Sequence, residues 1–227
     1  MDVIILAGGA GTRLKEVISD IPKPMAPVRN KPFLEYVLDW LSQYSSVERI
    51  ILAVGYKSEV IIQYFGDSFK NIPLSYSNDP EPLGTGGAVL NALEHCCSDT
   101  VLIINGDTYF PVNIDSFKEF HDNEGGMVSI ALKKMHDFDR YGTVEVKQST
   151  ITKFNEKKYA EEGLINGGIY IIAKDRFENK NYPAKFSFEK DVLEKQVTQN
   201  VLKGKVFDEP FIDIGIPEDY AKVASVV

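Results

Sequence analysis

Four apolar residues, Val3 to Leu6, give way to a run of small ones, Ala7-Gly8-Gly9-Ala10-Gly11, with Thr12 and Arg13 directly after. A short buried strand that breaks into glycines leaves few architectures open. Its backbone N–H groups, free of side-chain bulk, form a concavity for an anion, and open α/β sheets place such turns at the carboxyl ends of their strands. Arg13 brings a forked guanidinium suited to phosphate oxygens. Further on, Lys23 stands between Pro22 and Pro24, so the chain around this second cation is stiffened on both sides. Two familiar glycine motifs do not fit. Gly9-Ala10-Gly11 opens a G-x-G, but Leu14 stands where a dinucleotide fingerprint has its last glycine, and Thr12-Arg13 replaces the Lys-Ser/Thr of a P-loop.

Apolar runs ending in turns recur at Arg49–Val54 and Val101–Ile104. Between runs the periodicity is helical: Leu34, Val37, Leu38 and Leu41 share one face, Val60, Ile61 and Tyr64 suggest another, and Ala88, Val89, Ala92 and Leu93 a third. Strand–helix alternation predicts an α/β fold, a Rossmann-like doubly wound mixed sheet. After about Gly125 the pattern turns β-rich, with strands expected at Met127–Leu132, Thr143–Val146, Ile151–Phe154 and Leu164–Ile172, and helices at Glu189–Val197 and Glu218–Val223. Residues 1–227 read as one domain: a ligand-binding part over 1–124, a small β-rich lobe over 125–213 continuous with the sheet, and a C-terminal helix within 214–227.

Asp107 follows a buried strand through Asn105-Gly106, and Asp213 follows Phe211-Ile212. An acid there often forms a turn or caps a helix. Two carboxylates brought to one cleft also suit Mg²⁺, a hard cation that takes oxygen ligands. Pro82-Leu83-Gly84-Thr85-Gly86-Gly87 precedes a helix and offers a flat surface for a nucleobase, read by backbone groups and the Thr85 hydroxyl. Glu156 and Asn166 border strand-like runs, beside Gly142 and Gly167, where hydroxyl-rich ligands could be met.

The strand–glycine–Arg13–Pro-Lys-Pro stretch resembles the signature of the sugar-1-phosphate nucleotidyltransferases. The likeness continues in that family's order through Asn105-Gly106-Asp107, Tyr141-Gly142-Thr143, Asn155-Glu156-Lys157, Asn166-Gly167-Gly168 and Phe211-Ile212-Asp213. It implies a GT-A-like nucleotidyltransferase fold with Arg13 and Lys23 catalytic. It implies nucleotide contacts from Leu6, Ala7, Gly8, Gly9, Gly11, Thr12, Gly84, Thr85, Gly86 and Asn105. Sugar contacts fall to Gly142, Glu156, Lys157, Asn166 and Gly167, and Mg²⁺ ligands to Asp107 and Asp213. The Gly84–Ala88 loop is most similar to guanylyl-transferring members, and general likeness points to those acting on D-glycero-α-D-manno-heptose 1-phosphate. The expected substrates are therefore GTP and a sugar 1-phosphate, the product serving surface polysaccharide synthesis. Mannose 1-phosphate guanylyltransfer and uridylyltransfer to N-acetylmuramate or hexose 1-phosphate stay open. A catalytically silent sugar-nucleotide sensor has no need to keep Arg13, Lys23, Asp107 and Asp213 together. Family members with an added β-helix domain continue well past the Asp213 motif, and none is expected here.

Charge excludes other classes. A formal net charge of −8 attracts neither nucleic acid nor an anionic membrane surface, so a phosphate site must be a local basic pocket. The N-terminus enters a strand at once, with no signal peptide expected, and adjacent Cys96 and Cys97 read as reduced thiols after a helix, fitting a cytoplasm. Assembly into a homo-oligomer stays open.

Overall fold

The computed structural model describes residues 1–9, 11, 14, 21–79, 81–178 and 181–227. In chain order the strands are β1 (Asp2–Leu6), β2 (Pro27–Val28), β3 (Lys31–Pro32), β4 (Arg49–Val54), β5 (Ser68–Phe69), β6 (Ile72–Asn78), β7 (Thr100–Asn105), β8 (Thr108–Tyr109), β9 (Val128–Phe138), β10 (Val144–Lys147), β11 (Thr150–Phe154), β12 (Ala160–Ala173), β13 (Leu202–Phe207) and β14 (Ile212–Asp213). The helices are α1 (Phe33–Leu41), α2 (Ser58–Phe65), α3 (Gly84–Leu93), α4 (Ile114–Glu124), α5 (Lys174–Glu178), α6 (Glu194–Gln196) and α7 (Pro217–Tyr220).

A large sheet runs in the order β10-β11-β13-β9-β12-β7-β1-β4-β6-β5. β1 lies parallel to β4 and β7, and β4 parallel to β6, whereas β12 runs antiparallel to both β7 and β9 and makes the sheet mixed. The central strands are apolar throughout because both faces are covered. Val3 and Ile5 point into the core that holds Leu34 and Leu38 of α1 and Phe117 of α4, and Ile4 into the core that holds Val89 and Ala92 of α3.

Winding goes from β1 outward to β4 and β6, then returns to place β7 on the other side of β1. The carboxyl ends of β1 and β7 flank the point of reversal, where an open sheet leaves a crevice for ligands.

Several elements differ from the sequence reading. The helix expected over 189–197 is a π-helical turn, Phe188–Leu193, followed by one α turn and a 3₁₀ turn. The helix expected at 218–223 is the short α7 with a separate 3₁₀ turn, Val223–Ser225. β9 and β12 outrun their apolar stretches, since their outer halves pair with each other as far as Phe138 and Ala160. Cys96 and Cys97 follow α3 as free thiols, the first buried and the second exposed. No helix among the described residues is long and apolar enough to cross a membrane.

Candidate active site

Backbone stitching at the β1–β7 junction fixes the first carboxylate. The Gly106 N–H donates to the Leu6 carbonyl at 3.0 Å, and a Cβ on Gly106 would stand 2.7 Å from that oxygen, so this turn admits glycine alone without a shift. Asp107 is thereby held at the end of β7. β8 then pairs with β14, Thr108 opposite Asp213, and the Ile214 N–H donates to the Asp107 carbonyl at 2.9 Å. Two aspartates from distant segments arrive side by side.

Lys23 completes the group. Its Nζ donates to Asp107 Oδ2 at 2.6 Å and lies 3.9 Å from Asp213 Oδ1, on a side chain only 10% exposed. Pro24 and Met25, buried in the 3₁₀ turn Lys23–Met25, anchor it. Gly11 explains the link to the glycine turn: its φ is +58°, and a Cβ would approach that of Lys23 to 2.8 Å. Burial first, and the Asp107 charge second, push the Asp213 carboxyl above its usual range; Lys23 and a bond from the Gly215 N–H oppose this. Thr12 and Arg13 lie outside the described residues.

A cleft of about 790 Å³ follows the carboxyl ends of β7, β1, β4 and β6. Asn105 and Asp107 line it at β7, Leu6, Gly8 and Gly9 at β1, and Asn78, Asp79 and Glu81 at β6, with Gly84, Thr85 and Ala88 of α3 beside them. Since β7 and β6 are three strand positions apart, the two ends lie roughly 14 Å apart at ordinary strand spacing. Ala7 sits buried below, its N–H spent on the Ala53 carbonyl at 2.8 Å. Burial pushes the Asp79 carboxyl up, and one of its oxygens accepts a bond from Asn91 Nδ2 at 2.5 Å.

The glycines in the first turn of α3 are closely packed. A Cβ on Gly86 would stand 2.2 Å from the Phe186 ring, and one on Gly87 2.9 Å from the Ala184 carbonyl. The Gly86 N–H donates to the Phe186 carbonyl at 3.0 Å. The Thr85 hydroxyl donates to Glu189 Oε2 at 2.8 Å and accepts from the Phe188 N–H at 2.9 Å. Gly86 thus faces Phe186 and the Thr85 hydroxyl anchors the segment around Phe188, while Gly84 and Thr85 line the cleft. The carboxylates at that end of the cleft are Asp79 and Glu81, which sequence reading missed. Their signal was the acidic stretch just ahead of the glycines, hidden because β6 itself went unread.

On the lobe side, Asn166 Nδ2 donates to the Tyr170 hydroxyl at 2.9 Å while its Oδ1 accepts from the Gly168 N–H at 2.9 Å. Tyr170 also bonds Asn105, so these asparagines from the two halves meet at one buried phenol. The Cβ positions of Gly142 and Gly167 are filled by the Asn155 carbonyl and the Phe110 ring. Glu156 and Lys157 are exposed beyond β11, on a loop pinned where the Asn155 N–H donates to the Thr143 carbonyl at 2.8 Å. Tyr141 is a further neighbour that the sequence did not single out. Burial, and then the Asp213 charge, push its phenol up to about 12, and its ring meets Phe211 edge-on at 5.9 Å.

The family described as "Nucleotidyl transferase" matches residues 2–227. The chain is 47% identical to a D-glycero-alpha-D-manno-heptose 1-phosphate guanylyltransferase of Aneurinibacillus thermoaerophilus, covering 98% of this chain and 96% of that one. It is also 47% identical to a protein of the same name from Campylobacter jejuni, over 97% of each. Among solved structures, HddC from Yersinia pseudotuberculosis complexed with GMP-PN superposes with a TM-score of 0.86 at 39% identity, covering 99% of this chain and 98% of that one.

Proposed function

The chain belongs to the nucleotidyl transferase family, and on that premise we propose that it transfers GMP from GTP to D-glycero-α-D-manno-heptose 1-phosphate, giving a GDP-heptose and pyrophosphate. The observation that carries this chemistry is the Lys23 ammonium bonded to Asp107 at 2.6 Å, with Asp213 at 3.9 Å, where the cleft meets β7. An oxygen of the sugar phosphate attacks the α-phosphorus. One P–O bond forms, the bond to the oxygen bridging the β-phosphate breaks, and pyrophosphate leaves with the electron pair. Such a transfer asks for positioning and charge neutralisation rather than a protein nucleophile.

In this reading Lys23 offsets charge on the α-phosphate and the incoming phosphate. Arg13, by its place after the glycine turn, takes the leaving phosphates. Asp107 and Asp213 offer only oxygen donors and already hold a cation in Lys23, so they fit a hard divalent ion, and Mg²⁺ would be held by these two. When bound, it supplies further neutralisation of phosphate charge.

The far end of the cleft supports GTP. Guanine presents adjacent N–H donors on one edge, and the carboxylates of Asp79 and Glu81 are acceptors lining that end. Uracil, with one N–H between two carbonyls, would leave such acceptors unmatched. Sugar recognition is assigned to Gly142, Glu156, Lys157, Asn166 and Gly167, and the heptose rests on the full-length likeness to the two heptose 1-phosphate guanylyltransferases. A GDP-heptose made in the cytoplasm suits capsule or other surface polysaccharide assembly. Pyrophosphate release, measured with each of the common nucleoside triphosphates against heptose, mannose, N-acetylmuramate and glucose 1-phosphates, tests the reading. Turnover is expected with GTP and the heptose phosphate; turnover confined to another pair reassigns the enzyme.

A further inference from the structure

After Asp213 the chain passes Gly215 into α7 and the turn Val223–Ser225, and this C-terminal strap is tied on two sides. On one side the Tyr220 hydroxyl donates to the Pro27 carbonyl, and the Arg29 guanidinium donates to the Ala224 carbonyl. Pro27 and Arg29 belong to the β2–β3 hairpin, which begins just past the turn that anchors Lys23. On the other side Arg140, from the lobe, pairs with Asp219 of α7. The Arg140 guanidinium also lies 5.5 Å from the centroid of the Tyr141 ring, and its charge acts on Asp213.

Three parts of the reaction centre come from positions far apart in the chain: Lys23, Asp213 and the Tyr141–Gly142 loop. The strap contacts the segments bearing each. We infer that Arg140 and Asp219 are positioning residues, locking the lobe loop that carries Tyr141 and Gly142 onto the strap that directly follows Asp213, and so setting where the sugar phosphate meets the α-phosphate. This rests on the function proposed above. A partly exposed ion pair adds little to stability. Its value here is geometric, because a small misplacement of reacting groups is costly in rate. A planar guanidinium, which here pairs with Asp219 and also lies over the Tyr141 ring, suits the role better than a lysine ammonium.

The test is steady-state kinetics on the full chain with Arg140→Met, Asp219→Asn and Arg140→Lys, alongside thermal unfolding. Arg140→Met and Asp219→Asn should each raise KM for the sugar 1-phosphate and lower kcat, together costing about 10–100-fold in kcat/KM. KM for GTP should stay within about twofold and the unfolding midpoint should barely move, since neither residue of the pair lines the cleft. Arg140→Lys, keeping the charge, should recover part of the loss. Should Arg140→Met fail to fold, Asp219→Asn, which keeps the side chain's shape, decides. Unaltered sugar-phosphate constants in active variants overturn the inference, as does a parallel rise in both KM values. A wild-type chain that releases no pyrophosphate from any pair overturns the proposed function, and this inference with it.

Discussion

Lys23 bridges structure and chemistry. Its ammonium bonds Asp107 and neighbours Asp213, so in the free protein it offsets the repulsion between two carboxylates that the β8–β14 pairing brings together. Substrate phosphates would compete for the same charge. Lys23→Ala should therefore lower kcat about 10²–10³-fold, the cost of losing one preorganised charge-stabilising group. The fold should survive, because Pro24 and Met25, not the ammonium, anchor the turn. Near wild-type turnover by folded Lys23→Ala protein would remove Lys23 from the mechanism. Asp107, Lys23 and Asp213 were legible in the sequence because each stands beside a feature with one strong reading: a buried strand end, or a cation between prolines. Asp79 and Glu81 stood beside no such feature.

The elements that were read correctly are those whose pattern is simple. β1, β4 and β7 are covered on both faces and appear as apolar runs, whereas α3 begins at Gly84, inside the glycine turn expected to precede it. β6 was missed because it alternates and carries Pro73, next to a short edge strand. α4 was missed because most of its residues are polar; it is started by Asn113, whose side chain accepts from the Ser116 N–H at 2.9 Å. The start of α3 shows another case, a helix that opens inside the run read as a turn. Its glycines make room for Phe186, a contact between distant segments that local sequence does not encode. Gly86→Val should accordingly destabilise the fold by about 1–3 kcal/mol through overpacking, and depress GTP and UTP use alike in the folded fraction. A selective loss of GTP use with an unchanged unfolding midpoint would return Gly86 to base recognition.

One sheet carries both halves of the molecule, β7 next to β12 joining the glycine-turn side to the lobe. The acidic surface and the local cation at Lys23 fit together, since net charge keeps polyanions away except where a buried ammonium awaits them. Stability should depend on pH through His121 of α4, whose Nδ1 lies 2.8 Å from the Ser129 hydroxyl and whose pKa burial lowers. Below the ordinary histidine pKa of about 6.5 the unfolded chain takes up a proton that the folded one resists, so stability should fall as pH drops from 7 toward 5, by at most about 1.4 kcal/mol per pH unit. Asp213, whose carboxyl is raised, acts in the opposite sense, but nearer the carboxylate range. His121→Gln should flatten the dependence in denaturant titrations at pH 7 and 5; an equal slope in both proteins would assign it elsewhere. The guanylyl assignment has its most direct test in kcat/KM for GTP and UTP, each with D-glycero-α-D-manno-heptose 1-phosphate in excess. With donors of guanine matched to the carboxylates of Asp79 and Glu81, GTP should be favoured by about tenfold or more, the worth of one or two unmatched polar groups. A value for UTP equal to or above that for GTP would contradict it.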